Sequence, residues 1–378
     1  MGEDFRKVIL LADYGSISLA ERVYEELSKR DEIYGGLTPF NPDGLSINRF
    51  GNGEIDPRIV CNVRGRDVFL FKSFNICPVK WDKNKISRPT LDMLVYEPSA
   101  GYDELFVLND TLRRSRASTI TNVLPYMPYQ RQDRRAKREG KKIRCPISAK
   151  VYAKKTEASG ANMVINLDPH FKQIEGFYDE AITGFEELDS FVIFAEYTES
   201  NLMGDMGRVV FVAPDHGSAE RASDYATYFE RPLAIVDKRR VRPGVSEVRG
   251  IITDESLVGS HCILTDDLVD GGGTLVEAAK VLKAKGAKDI SSYCTHPVLS
   301  GTAKDKLLNE GIKLVTTESI LIPDREKYPN ITVLDISYPI AQAMWCICNG
   351  RSLSQHLFDY DRYKEYKAGR AAQLQDSK

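Results

Sequence analysis

No stretch of this 378-residue chain approaches the run of about 20 apolar residues that a membrane-spanning helix needs. Neither sign of charge is in excess: 52 Lys and Arg stand against 54 Asp and Glu, a formal net charge of -2. That balance argues against a protein held on nucleic acid or membrane by global charge. The seven cysteines, at 61, 77, 145, 262, 294, 346 and 348, are an odd set, several inside apolar runs, so no disulfide framework is read. Cys346-x-Cys348 alone is not a metal signature. The opening Met-Gly-Glu-Asp-Phe-Arg-Lys lacks the charged-then-apolar order of an export signal, and a cytoplasmic protein is expected. Two phosphate-binding signatures are missing as well: the lysine of GxxxxGK[ST] and the spacing of GxGxxG.

With 42% hydrophobic residues, the chain is long enough for two α/β domains, each with a full core. Its most informative segment is Cys262-Ile-Leu-Thr-Asp-Asp-Leu-Val-Asp-Gly-Gly-Gly-Thr-Leu275. Cys262 to Leu264 read as a buried strand. Leu275, Ala278, Ala279 and Leu282 repeat at helical spacing until Gly286. Between them, the N–H groups of Gly271, Gly272, Gly273 and Thr274 can converge on an anion at a helix N-terminus, because glycine lets the backbone approach closely. Asp266 and Asp267 precede that nest, where one carboxylate can accept from adjacent sugar hydroxyls. The plain alternative is an acidic turn.

Part of the chain reads as one pattern used twice. Strand Val8 to Leu11 leads into Ala-Asp13-Tyr-Gly15-Ser16, and strand Val209 to Ala213 into Pro-Asp215-His-Gly217-Ser218. Apolar runs near 8, 68, 123, 164, 209, 233, 262, 290 and 333 alternate with helical patterns, as parallel sheets with crossover helices require. In such sheets, ligands bind beyond the strands' carboxyl ends. Asp168-Pro-His170 leaves one strand end, so His170 is a candidate metal ligand, with a structural histidine as the alternative. Asp215 is a candidate oxygen ligand for magnesium. Asp237-Lys238-Arg239-Arg240 follows the strand Leu233 to Val236 and precedes a Pro-Gly segment read as a lid. Its cations suit phosphates; a solvated charge run is the alternative. Residues 131–144 hold eight Lys or Arg against two acids. They suit nucleic acid, or the triphosphate of a single nucleotide through Arg131 and Gln132.

Together with Arg49-Phe-Gly-Asn-Gly-Glu54-Ile, Tyr129-Gln-Arg-Gln-Asp-Arg, Thr295-His-Pro-Val-Leu-Ser-Gly301 and Asn349-Gly-Arg-Ser-Leu-Ser, these segments resemble, in order, the ribose-phosphate pyrophosphokinases. The likeness runs from about residue 8 to about 358. It implies an α/β fold of two tandem phosphoribosyltransferase-like domains, each a mostly parallel sheet flanked by helices. Residues 1–180 would carry the ATP site and oligomer contacts, 181–358 the ribose 5-phosphate site, and 359–378 a tail. It further implies transfer of the terminal diphosphate of ATP to ribose 5-phosphate with Mg2+. Lys238 and Arg240 would be catalytic, and His170 and Asp215 would bind metal. Asp266 and Asp267 would hold the ribose hydroxyls, with Asp270, Gly271, Gly272, Gly273 and Thr274 cradling the 5-phosphate. Phe50, Asn52, Gly53 and Glu54 would contact adenine, and Arg131 with Gln132 the triphosphate. A homo-oligomer is implied, built from dimers and commonly a hexamer, with no membrane or nucleic-acid partner.

The chain departs from the family pattern at several positions. Asn52 stands where Asp is usual, Pro169 replaces an apolar residue, Gly271 replaces Thr, and Ser218-Ala-Glu220 departs from a Gly-rich turn. The segment 31–45 is longer than usual. A catalytically silent regulatory subunit is the alternative within the family.

Overall fold

The computed structural model describes residues 7–30, 33, 35–76, 93–135, 137–138, 141–242 and 245–353. The tail at 359–378, Pro243-Gly244 of the expected lid and part of the 31–45 segment lie outside them. The chain divides into two compact units, Met1–Asp189 with Ile336–Lys378, and Ser190–Asp335.

In the first unit, β1 (Val8–Ala12) leads to α1 (Ile17–Ser28), whose Leu19, Ala20, Val23 and Leu27 form one buried stripe. An antiparallel hairpin follows, β2 (Leu45–Arg49) and β3 (Ile55–Ile59), then β4 (Asp67–Phe71). The two-residue strands β5 (Asn75–Ile76) and β6 (Val95–Tyr96) pair before α2 (Pro98–Arg114), which opens on proline, where the missing N–H costs nothing. Then come β7 (Thr119–Leu124), the short pair β8 (Lys137–Arg138) and β9 (Lys141–Lys142), α3 (Ser148–Ser159), β10 (Met163–Leu167) and β11 (Gly184–Leu188). The five-stranded sheet runs β1-β4-β7-β10-β11, parallel throughout. Its order follows the chain without reversal. Ile9, Leu11, Val68, Leu70, Ile120 and Val164 pack from one face against Leu105, Leu108 and Leu112 of α2.

The second unit contains α4 (Phe191–Leu202), β12 (Val209–Ala213), α5 (Ala219–Tyr228), β13 (Leu233–Arg242), β14 (Val245–Ile252) and β15 (His261–Val269). It continues through α6 (Gly273–Ala284), β16 (Asp289–Pro297), α7 (Ala303–Asn309), β17 (Lys313–Thr317) and β18 (Ile331–Leu334). The sheet order is β14-β13-β12-β15-β16-β17-β18, parallel except for β13 with β14. Both faces are covered. Val210, Val212, Cys262 and Leu264 enter one core with Leu275, Ala278 and Leu282 of α6, while Val209, Phe211 and Ile263 enter the other with Phe194 and Tyr225. Burial on both faces is why these strands read as continuous apolar runs. The last helix, α8 (Ser337–Cys348), returns to the first unit and packs on α1, where the Arg30 guanidinium lies 5.5 Å from the Tyr338 ring centroid. The division therefore differs from a cut at 180 with a C-terminal domain reaching 358, because α8 buries its apolar face on an element more than 300 positions earlier.

Two strands outrun their expected ends. β15 continues through the acidic pair to Val269 because β16 stays beside it, with Asp266 opposite Cys294 and Leu268 opposite His296. β13 continues through Lys238 to Arg242 because β14 pairs with it, the register shifting between Asp237 and Lys238.

Candidate active site

The strand order of the second sheet reverses once near its middle. From β12 the chain moves outward to β13 and β14, then returns to the opposite side of β12 for β15. A parallel sheet opens a ligand crevice at the carboxyl ends of the two strands flanking such a reversal. Three candidate segments leave the sheet there.

The first segment is the turn after β12. Asp215 is half-buried, and its Oδ1 accepts from the Gly217 N–H at 2.8 Å, which shapes a short 3-10 turn before α5. Ser218 in that turn donates its hydroxyl to Asp266 Oδ1 on β15 at 2.9 Å. Ser218 stands in the repeated pattern, but its contact with Asp266 is not readable locally, because the two residues are 48 positions apart.

The second is the β15 extension and the loop after it. β12 pairs with β15 only as far as Leu264, so Asp266 and Asp267 stand beyond the end of β12 with β16 as their one pairing strand. Asp266 Oδ1 also accepts the Asp267 N–H at 3.0 Å. Burial, then the Asp267 charge, push the Asp266 carboxyl up to about 8, and the Ser218 hydroxyl opposes them only in part. Asp266 thus keeps its proton in the folded protein and loses it in the unfolded chain between about pH 4 and about pH 8. Its ionisation costs stability that is absent below that window and complete above it. Asp266→Asn should therefore gain thermal stability over the parent as pH rises through the window, while binding sugar more weakly. Parallel melting curves of parent and variant from pH 5 to pH 9 would refute this reading of the site.

The nest follows. Gly272 has φ +72° and caps α6 from a left-handed conformation that a side chain would strain. Gly271, Gly273 and Thr274 are exposed, and a Cβ on Gly271 or Gly273 would meet no atom within 4 Å. Gly271 and Gly272 lead into the N-terminus of α6, where backbone N–H groups can receive a phosphate. Lys306 reaches the Gly271 carbonyl oxygen at 3.2 Å and fixes the loop from outside, while the Asp270 carbonyl accepts the Ser300 N–H at 3.1 Å. Because the space over Gly271 is open, Gly271→Thr should be accommodated and should add a hydroxyl donor. Titration calorimetry should then show tighter ribose 5-phosphate binding; unchanged binding would mean the loop does not hold the phosphate.

The third is the β13–β14 ribbon. Only Leu233, Ala234 and Ile235 of β13 pair with β12, so Lys238 and Arg240 lie on a two-stranded extension past the end of β12. Register shifts like the one between Asp237 and Lys238 turn side chains locally and recur beside active sites.

The first unit holds the remaining candidates. Arg131 and Gln132 follow β7, and His170 follows its neighbour β10; all three are exposed. Buried Gln130 brings the two segments together by accepting the His170 backbone N–H at 2.7 Å. Tyr129 is held at φ +68°, its ring stacked 4.1 Å from that of Tyr152, and the Ser148 hydroxyl binds Gln132. Asp168, at φ +41°, and Glu187 lie close enough to repel. Burial and then Asp168 push the Glu187 carboxyl up to about 7. Phe50, Asn52, Gly53 and Glu54 form the exposed turn of the β2–β3 hairpin, and Asn52 Oδ1 already accepts the Glu54 N–H at 3.2 Å.

Among the described residues, no group of three or more His, Cys, Asp or Glu is spaced to hold a metal ion, and no helix is long and apolar enough to cross a membrane.

The pattern described as the N-terminal domain of ribose phosphate pyrophosphokinase matches residues 8–160, and that of the phosphoribosyl transferase domain matches 192–327. The ribose-phosphate pyrophosphokinase of Bacillus caldolyticus is 38% identical over 315 residues, which is 83% of this chain and 89% of that one. That of Corynebacterium ammoniagenes is 37% identical over 310 residues, 82% of this chain and 87% of its own. Among solved structures, the phosphoribosylpyrophosphate synthetase of Mycobacterium smegmatis superposes with a TM-score of 0.72 at 27% identity, covering 91% of this chain and all of that one. Both units of the fold and most of the chain's length are thus shared with enzymes of one kind, and the chain belongs to the ribose-phosphate pyrophosphokinase family.

Proposed function

We propose that the chain transfers the β,γ-diphosphoryl group of ATP to the 1-hydroxyl of ribose 5-phosphate, giving 5-phosphoribosyl 1-diphosphate and AMP. The anomeric oxygen forms a bond to the β-phosphorus, the bond from that phosphorus to the α,β-bridging oxygen breaks, and the hydroxyl proton leaves. The observation that carries this reading is the open glycine nest set directly after two carboxylates at the reversal of the second sheet. It matches a sugar phosphate in both chemistry and order. Asp270, Gly271, Gly272, Gly273 and Thr274 take the 5-phosphate, and Asp266 and Asp267 take the ribose hydroxyls. Lys238 and Arg240 stabilise the charge that grows on the transferring group.

Nucleotide binding falls to Phe50, Asn52, Gly53 and Glu54 for the base and to Arg131 and Gln132 for the phosphates. Mg2+ is the metal this chemistry takes. It prefers few protein oxygens, water and substrate phosphates, which agrees with isolated Asp215 and His170 rather than a closed cage. When bound, it neutralises charge on the phosphate oxygens. The roles implied by the family pass to the two units, the ATP site and oligomer contacts to Met1–Asp189 with Ile336–Lys378 and the ribose 5-phosphate site to Ser190–Asp335; a homo-oligomer built from dimers, possibly a hexamer, is the expected assembly, and the cytoplasm the expected compartment. The enzyme reading is favoured over a silent subunit by the relatives' shared enzyme name and by the presence of Lys238, Arg240, His170, Asp215 and the glycine nest. Asp267→Ala should weaken ribose 5-phosphate binding about tenfold or more, the worth of a charge-assisted hydrogen bond, and leave the KM for ATP near that of the parent. Equal sugar-phosphate affinity in the variant would remove Asp267 from the site.

A further inference from the structure

The 50–54 turn is anchored by a buried ion cluster that the chemistry proposed above does not use. Lys72 follows β4 with its side chain wholly buried, its Nζ 2.7 Å from Asp13 Oδ2 and 3.1 Å from Glu104 Oε2. Burial alone would push this ammonium down, but Asp13 and Glu104 more than offset it and the net shift is upward. Glu104, 3% exposed on α2, gives its other oxygen to Arg49 Nη2 at 2.6 Å. Arg49 ends β2, and its Nη1 donates to the Gly53 carbonyl oxygen at 3.1 Å. The turn is braced internally as well, with the Phe50 N–H on the Glu54 oxygen at 2.8 Å and the Gly53 N–H on the Phe50 oxygen at 3.0 Å. Charged contacts therefore run without a break from the carboxyl ends of β1 and β4, through α2, to the tip of the hairpin. A forked guanidinium bridges a carboxylate and a carbonyl at once, which a single ammonium does less well.

We propose that Arg49 is a positioning residue for the nucleotide, holding the 50–54 turn in the shape that receives the base while the Lys72–Glu104 pair holds Arg49. This rests on the reading of that turn as nucleotide-binding. Phe50 is 53% exposed, and a Cβ on Gly51 or Gly53 would meet no atom within 4 Å, so the outer face of the turn is available to a ligand. A turn that is already ordered loses less conformational entropy when a ligand arrives. Because the groups assigned to the transfer itself lie in the second unit, loosening the turn reduces nucleotide affinity and spares the chemical step.

The test is steady-state kinetics of the full chain carrying Phe50→Ala, Arg49→Met or Arg49→Lys. Phe50→Ala is expected to raise the KM for ATP. Arg49→Met is expected to raise it about tenfold, the scale of one charge-assisted hydrogen bond. Its kcat and its KM for ribose 5-phosphate should remain within about twofold, the pattern of a binding defect rather than a transition-state one. Arg49→Lys, which keeps the pair with Glu104 but not the second bond, should fall between. A raised KM in Phe50→Ala beside an unchanged KM in Arg49→Met, or a loss confined to kcat, would overturn the positioning role. An unchanged KM in Phe50→Ala would overturn the nucleotide reading of the turn and this inference with it. If Arg49→Met does not fold, Arg49→Lys decides, and a parental KM for ATP overturns the role.

Discussion

Replacing Lys238 with alanine is expected to lower turnover about 100- to 1,000-fold, the usual cost of removing a group aimed at charge that develops in a transition state. Ribose 5-phosphate affinity should stay close to the parent's. The separation follows from the fold. The nest and its carboxylates belong to β15 and α6, whereas Lys238 belongs to the β13–β14 ribbon, a separate part of the sheet. Diphosphoryl transfer demands little covalent work from a protein beyond placing groups and stabilising negative charge, so a lysine in the role proposed for Lys238 would act in the chemical step. Single-turnover measurements with saturating ATP would expose the loss, and calorimetric titration of ribose 5-phosphate would show binding preserved. Unchanged turnover would take Lys238 out of the reaction.

Lys72→Met is expected to cost about 3–5 kcal/mol of unfolding free energy, the range measured when one partner of a buried ion pair is removed. Lys72 is wholly buried, and Asp13 and Glu104 are 2% and 3% exposed, so the variant leaves two carboxylates with only the more peripheral Arg49 to balance them. The double variant Lys72→Met with Glu104→Gln should recover part of the loss, because it removes one charge of each sign. Denaturant unfolding of the single and double variants measures both effects. A single variant as stable as the parent would mean that water reaches the cluster.

The same cluster explains what could and could not be read from the sequence. Asp13 and Asp215 follow equivalent first strands, and both copies of the pattern were legible as an apolar run ending in Asp-x-Gly-Ser. In the second unit, the carboxylate lies beside two more, Asp266 and Asp267, at a strand-order reversal. In the first unit, a lysine from the neighbouring strand neutralises it, and the sheet order has no reversal. One pattern became a crevice and the other a buried brace. Nothing local to Asp13 announces this, since Lys72 is 59 positions away.

The glycine nest and α6 were legible because their signals are local: glycines in a run, then Leu275, Ala278, Ala279 and Leu282 at helical spacing. Where β13 and β15 end was not, because a strand continues for as long as a neighbour pairs with it, and β14 and β16 set those lengths. The return of α8 to the first unit was hidden for the same reason, as was the contact from Ser218 to Asp266 across 48 positions. The candidate side chains were therefore readable one by one, while the burial and charge coupling that lift Asp266 and the strap on the 50–54 turn required the fold.

The activity proposed for this chain moves a diphosphoryl group, not a single phosphoryl group, from ATP to ribose 5-phosphate. The most direct test incubates the full chain with ATP, ribose 5-phosphate and Mg2+ and follows both nucleotide and sugar products. AMP and 5-phosphoribosyl 1-diphosphate should form in equal amounts, and neither when the metal is chelated. ADP with a ribose bisphosphate, or no product from folded protein, would rule it out.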